Sequence, residues 1–414
     1  MECVAKFKNI NRIAAPVKNT FWHNLFFFGL GFLILHGSIR NLIVIVFSLI
    51  GINIFNVADS ALKVLTILFL IPSILFAFRN RPFKIIISLS IFAFVWWFSF
   101  SYNIDARRYI IDGITQFFIE CLPFLWLFYC LFDSKTNEEK RSLSFLFSIS
   151  KVQLLFLLFV QTLIFLVPRV DIYNDYMSAS YLLLEPLLIV GAFIFSSKIK
   201  VLDVFLFIIG TFYILIIGSR GAFLCELVFI FSYFLIFKIK KVINKILLLL
   251  ASVVLVIFVP SVAKLLLVFG ENRILQSLSS LSLFSDNSRV LIFNLIFDKI
   301  KENPFGLGVL SDRPILLNSN VIWTVYYSHN FILELGIDFG YFGFLISALI
   351  IFLLFMAYFS TNNKRKKILL LAFASFSIIK LLVSSSIWIE TSFWKLLGIA
   401  FAFLSERQIK YGSK

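Results

Sequence analysis

The sequence predicts an all-α polytopic membrane protein: about twelve transmembrane helices and one large extracytoplasmic loop containing an amphipathic interfacial helix. Three observations lead there. Hydrophobic residues fill 60% of the 414 positions and charged residues only 14%, with a mean hydropathy of +0.98. Apolar runs near the roughly twenty residues that cross a bilayer recur along the chain. The one long exception is the stretch 268–328, which interrupts an otherwise single transmembrane domain covering 1–414.

Orientation follows from where the 38 Lys and Arg residues fall, because cytoplasmic loops retain them. Short basic clusters recur at Lys6 to Lys18, Arg79 to Lys84, Lys135 to Arg141, Lys198/Lys200, Lys238 to Lys245, Lys364 to Lys367 and Arg407 to Lys414. With these inside, both ends are cytoplasmic and the net charge of +16 is mostly topological. No isolated basic domain stands apart, so the footprint of a nucleic-acid binder is missing. Lys6 to Lys18 precede ordinary spans and no small-residue cleavage site stands out, which argues against a cleaved signal peptide.

Spans are expected at 61–78, 85–102, 110–132, 143–167, 180–197, 201–218, 221–237, 246–267, 331–358, 368–387 and 392–405. The segment 21–57 is long enough for two crossings, yet basic clusters on both flanks require an odd number, and Arg40 lies in its middle. One crossing plus a short interfacial or re-entrant piece satisfies both constraints. Cys121, Cys130 and Cys225 fall in spans and Cys3 in the cytoplasm, so neither a disulfide framework nor a zinc site is implied. His23, His36 and His329 are far apart and no Asp-rich pair sits at a span end, which leaves no metal site to assign.

The large loop has internal order. From Ser288 to Asn303 the residues Val290, Ile292, Phe293, Leu295, Ile296, Phe297 and Ile300 cover one broad helical face, and Asn294, Asp298, Lys301 and Glu302 the other. This predicts a helix on the membrane surface, started by Asp286, Asn287 or Ser288 and closed at Pro304. Arg289 projects from the apolar side in the first turn, where a cation gains nothing from the helix dipole. A nearby anion would account for it: first-turn amides plus a guanidinium make a phosphate site, and a lipid diphosphate lies at that depth. Arg220 belongs to the same face, in the tight external turn Gly218-Ser219-Arg220-Gly221. The bland alternatives are a snorkelling anchor for Arg220 and headgroup contact for Arg289.

His329 begins the span after the loop, behind Trp323, Tyr326 and Tyr327. It reads either as part of an interfacial aromatic belt or as a general base, since neutral imidazole can take a proton from a hydroxyl near neutral pH and a guanidinium cannot. Between the spans 143–167 and 180–197, Arg169, Asp171, Tyr173, Asp175 and Tyr176 form a short polar and aromatic segment that can be read as a solvated turn.

Taken in order, Ser219-Arg220-Gly221-Ala222 opening a span, Asn287-Ser288-Arg289 and Asn303-Pro304-Phe305-Gly306-Leu307-Gly308 in the loop, then His329-Asn330 with Glu334, Asp338, Gly340 and Gly343 resemble the O-antigen ligase and O-antigen polymerase superfamily. The likeness covers about residues 171–400 and includes Asp175-Tyr176-Met177-Ser178, similar to a segment of polysaccharide polymerases. The resemblance implies a cofactor-free, metal-independent glycosyltransferase of the bacterial inner membrane, with its active site at the periplasmic face. Undecaprenyl-diphosphate-linked oligosaccharides would serve as donor and acceptor, membrane lipid would surround the site, and a chain-length regulator is a candidate protein partner. Arg220 and Arg289 would hold the diphosphate and His329 would activate the acceptor hydroxyl, with inversion at the anomeric carbon. In such an enzyme Arg169, Asp171, Tyr173, Asp175 and Tyr176, or equally Tyr326 and Tyr327 near the histidine, would be candidates to bind sugar by hydrogen bonds and stacking, the first group keeping its reading as a solvated turn. The Asp175 to Ser178 segment favours a repeat-unit polymerase; transfer to lipid A-core by a ligase is the alternative. A polysaccharide flippase is a second alternative, because Lys151, Glu185, Glu226 and Lys380 place charge in or near spans.

Overall fold

The computed structural model describes residues 20–49, 55–133, 139–166, 176–197, 200–217, 219–241, 287–319 and 327–412. Every regular element among them is helical. In chain order they are α1 (Thr20–Leu49), α2 (Phe55–Asn80), α3 (Pro82–Tyr102), α4 (Arg107–Gln116), α5 (Leu122–Phe132), α6 (Glu139–Leu166), α7 (Tyr176–Ser196), α8 (Val201–Ile217) and α9 (Arg220–Tyr233). After them come α10 (Asn287–Glu302), α11 (Asp312–Asn318), α12 (Phe331–Phe339), α13 (Tyr341–Ser360), α14 (Lys364–Val383) and α15 (Thr391–Gly412). One wide turn, Phe117–Cys121, joins α4 to α5, and another, Phe234–Lys238, extends α9.

Among the described residues seven helices are long and apolar enough to cross a membrane: Phe21–Val44, Pro82–Tyr102, Arg107–Phe132, Lys140–Ile164, Met177–Ser196, Arg220–Lys238 and Tyr341–Ser360. Val64–Asn80 and Val201–Ile217 are shorter apolar helices. The last two expected spans are present as α14 and α15, which carry more charge, and the one at 246–267 lies outside the described residues. The expected crossing in 21–57 is α1, which runs unbroken through Arg40; the interfacial piece expected beside it has only 50–54 left to it, also outside the described residues. The core centres on α5 and α15, where Phe128 and Phe403 meet Phe373 of α14 and residues of α1.

Two expectations need correction. The span drawn through 331–358 is two helices, α12 and α13, broken at Gly340 with φ +64°. A Cβ there would lie 1.9 Å from the Pro304 carbonyl oxygen, which accepts the Tyr341 N–H at 3.0 Å. Gly306, with φ +85°, faces the same junction from the loop, where Leu307 and Gly308 donate N–H bonds to the Ile337 and Asp338 carbonyls. Asn303 to Gly308 is thus a backbone clamp on the end of α12, possible only where side chains are absent. The same loop reaches α3, since Val309 N–H donates to Ser99 Oγ at 3.0 Å and Asn103 Nδ2 to the Leu307 carbonyl at 3.0 Å.

The amphipathic helix forms as α10, but its apolar face is divided. Ile292, Ile296 and Ile300 are buried against Leu316 and Ile337, so the helix packs on α11 and α12. Val290, Leu291 and Phe297 are exposed, and only this narrower stripe is left to meet lipid.

Among the charges within or near spans, Lys151, Glu185 and Lys380 are paired with opposite charges, while Glu226 has only a hydroxyl partner. Lys151 meets Asp203, Glu185 meets Lys395 at 2.6 Å, Lys380 meets Glu390 at 2.6 Å, and Glu226 accepts from the Thr211 hydroxyl. Each pair joins two helices or a helix to the turn between α14 and α15, and pairing relieves most of what a lone charge in an apolar slab would lose.

Candidate functional site

The segment Tyr327 to Asn330 is fixed residue by residue. Asn330 is extended, with φ −153°, and its side-chain oxygen accepts from Ile332 N at 2.9 Å and Leu333 N at 3.4 Å, which caps α12. His329 is left-handed with φ +53°, a conformation that histidine tolerates better than most side chains. Ser328 N–H donates to Asp312 Oδ2 at 2.7 Å, and the Tyr327 hydroxyl donates to the Ser384 carbonyl at 2.7 Å. The His329 ring is only 7% exposed and lies 4.2 Å from the Tyr327 ring between centroids. Burial, partly offset by the charges of Arg313 and Arg289, pushes the Tyr327 phenol up to about 12, so it remains a donor throughout the neutral range.

Asp312 opens α11 and is fully buried. Burial raises its carboxyl above the ordinary range, while the adjacent Arg313 charge and the hydrogen bonds from Ser328 act in the opposite direction. Asp312 therefore sets the path of the chain into His329. Replacing Asp312 with alanine is expected to lower kcat about 100-fold, the scale of a 1 Å misplacement of a reacting group. Asp312→Asn retains an oxygen for the Ser328 N–H and should lose much less. Steady-state rates of the two variants check this, and equal losses would show that charge, not the hydrogen bond, matters.

Arg220 is the first residue of α9, behind the buried Ser219. The helix start is pressed onto α7 and the end of α14: a Cβ on Gly221 would lie 2.1 Å from the Tyr181 hydroxyl and 3.5 Å from Val383. Arg289 sits in the first turn of α10, and its charge is felt at both the Tyr181 and Tyr327 phenols. Arg289 thus lies within electrostatic range of both phenols, while the His329 ring packs beside Tyr327 and the Arg220–Gly221 turn abuts Tyr181. Both tyrosines border a cavity of about 430 Å³, with Lys380, Ser384, Ser385 and Glu390 also in its wall.

The acids of α12 are committed to holding this end together. Glu334 accepts from the Ser386 hydroxyl and from Ile387 N–H at 2.9 Å, and Asp338 accepts from Trp388 Nε1 at 2.6 Å and from Ser311 Oγ at 3.4 Å. They staple the 384–390 turn and the loop before α11 onto α12.

Of the other candidates, Arg169, Asp171, Tyr173, Asp175 and Tyr326 lie outside the described residues, and Tyr176 starts α7 with its side chain undescribed. Sequence reasoning passed over Asp312, Arg313, Tyr181 and the Lys380–Glu390 pair as parts of one site. A signal for two of them existed: Asp312-Arg313-Pro314 after Ser311 is a charged helix start inside the loop. Tyr181 gave none, being one aromatic residue in an apolar helix.

Residues 205–348 match a protein family described as O-Antigen ligase. The matched range contains Arg220, Arg289, Asp312 and His329, whereas Tyr181, Lys380 and Glu390 fall outside it. No curated protein and no solved structure matches the chain.

Proposed function

We propose that the chain is an enzyme of the O-antigen ligase and polymerase type and that it polymerises surface-polysaccharide repeat units, a reading supported by the match of residues 205–348 to the family described as O-Antigen ligase. The donor is an oligosaccharide on undecaprenyl diphosphate, and the reaction takes place at the periplasmic face of the bacterial inner membrane. The observation that carries the reading is the gathering of Arg289, His329 and the Arg220–Gly221 turn about Tyr181 and Tyr327.

In this mechanism an acceptor sugar hydroxyl attacks the anomeric carbon of the donor. His329 takes the hydroxyl proton as the new C–O bond forms. The bond to the diphosphate breaks on the opposite side, so the configuration inverts, and undecaprenyl diphosphate leaves. Arg220 and Arg289 neutralise the charge that grows on the departing diphosphate, from positions fixed by α9 and α10. Phosphate oxygens would also meet the first-turn amides of both helices.

The Asp175 to Ser178 segment supports the polymerase over the ligase. The ligase remains the second reading because the matched family carries that description, and the two differ only in acceptor. A carrier has less support, since three of the four charges that suggested one, Lys151, Glu185 and Lys380, are neutralised by a paired charge.

Purified protein in lipid nanodiscs, given lipid-diphosphate-linked repeat units, should produce a ladder on a gel. Single transfer onto added lipid A-core would select the ligase instead. Movement of labelled lipid across vesicles with no new glycosidic bond would replace the enzyme by a carrier.

A further inference from the structure

The cavity beside the candidate site has a wall that its neighbours do not explain. It encloses about 430 Å³, within the roughly 300–1,000 Å³ of small-ligand sites. One side holds a carboxylate with all its acceptor positions in use. Glu390 Oε2 takes the Lys380 ammonium at 2.6 Å and Ser385 Oγ at 2.8 Å; Oε1 takes Ser392 Oγ at 2.7 Å and Ser392 N at 3.3 Å. Burial alone would raise this carboxyl, but the Lys380 charge and these hydrogen bonds outweigh it and hold Glu390 below the usual range. An anion so saturated has no lone pair left for a ligand. Its effect is to fix Lys380.

Lys380 is pinned from two further sides. Its ammonium lies 4.8 Å from the centre of the Tyr181 ring and 5.4 Å from that of Phe376. One N–H engages Glu390, and an ammonium has three donors to give. The cavity therefore presents a rigid cation, aromatic faces and the Ser384 hydroxyl: donors and stacking surfaces, with its two carboxylates, Glu390 and Glu185, each paired to a lysine. A hydroxyl-rich sugar ring fits such a wall, whereas a lipid tail would leave the ammonium unsolvated. Tyr327 forms part of the same wall with its ring 4.2 Å from that of His329, so a ring seated here would lie beside the tyrosine that packs on the imidazole.

We propose that this cavity is the subsite for the terminal sugar of the acceptor glycan, with Lys380 as its specificity-determining cation and Tyr181 as its stacking face. The assignment rests on the glycosyltransfer reading above and adds to it where the acceptor, as opposed to the donor diphosphate, is held. Lys380 and Tyr181 lie outside the matched family domain, in keeping with a feature that varies with the sugar recognised.

The probe is a lipid-free repeat-unit oligosaccharide labelled at its reducing end, prepared from the surface polysaccharide of the producing strain. Binding to purified protein in nanodiscs is followed by fluorescence anisotropy, and transfer by gel. Two variants test the cavity. Ser178→Trp fills its exposed edge, and the double variant Lys380→Met/Glu390→Gln removes the pair together so that no lone charge stays buried; melting profiles confirm that both fold. Each should weaken probe binding and raise the acceptor KM about tenfold or more, with kcat within about threefold and the donor KM unchanged. Unchanged probe affinity in both, or an equal rise in donor KM, would overturn the assignment. Wild-type protein that binds the probe through Lys380 yet makes no glycosidic bond would sink the glycosyltransfer reading and leave the cavity as a glycan site.

Discussion

With His329 replaced by alanine, kcat for glycan polymerisation should fall about 10² to 10⁴-fold, the range that a positioned general base contributes. The donor KM should hardly move, because the diphosphate is assigned to other residues. The loss should be chemical. The chain at this point is held by the Asn330 cap, the Asp312 carboxylate and the Tyr327 hydroxyl, none of which uses the imidazole. Two controls separate base catalysis from placement. Added imidazole should restore part of the activity of His329→Ala, since a small base can enter the space left. His329→Asn, which tolerates the left-handed backbone at φ +53°, should be as inactive as alanine. Activity of either variant within about threefold of wild type would show that the histidine is only part of the aromatic rim.

The arginines should fail differently. Arg220→Ala and Arg289→Ala are each expected to lower kcat/KM about 10² to 10³-fold, the scale of removing one fixed donor from a developing anion. Lysine should not restore either position, because it lacks the planar fork that matches a phosphate in two places. The pair acts on one leaving group, so the double variant should lose less than the product of the single losses. A decisive comparison uses a donor with a better leaving group than diphosphate: the arginine variants should recover on it more than the histidine variant does. Equal recovery would mean that the guanidiniums do not face the departing group. If Arg289 instead only holds α10 on lipid, Arg289→Lys would keep near-normal rates.

Much of this architecture was legible in the sequence, for a definite reason. Bilayer spans are written in composition, so the positions of α3 to α9 follow from hydropathy alone. The amphipathic helix was legible from its period, but not its docking. Only the fold reveals that Ile292, Ile296 and Ile300 seat on Leu316 and Ile337 while Val290 and Phe297 stay outside. The break at Gly340 was hidden because the residues on both sides are apolar and a glycine in an apolar run is common in membrane helices. What decides it is the Pro304 carbonyl, more than thirty residues upstream. The same holds for the site. Arg220 and His329 stood out as polar residues at span ends and Arg289 as a cation on the apolar side of the loop helix, whereas Tyr181 and Lys380 acquire meaning only through what faces them, which no single-chain pattern encodes.

The ion pairs also bear on how the chain is built. Glu185 on α7 and Lys366 on α14 both find their counter-charges on α15, at Lys395 and Glu406. During synthesis α7 reaches the lipid before α15 exists, with Glu185 an uncompensated charge worth about 2.5 to 3.5 kcal/mol against insertion, while Lys366 waits for its partner in the first turn of α14. Arrival of the last helix quenches both at once and seals its contact with α5. Biogenesis should therefore stall late, with nascent chains retained at the insertion machinery until α15 has emerged, and loss of that one helix should send the whole protein to proteolysis.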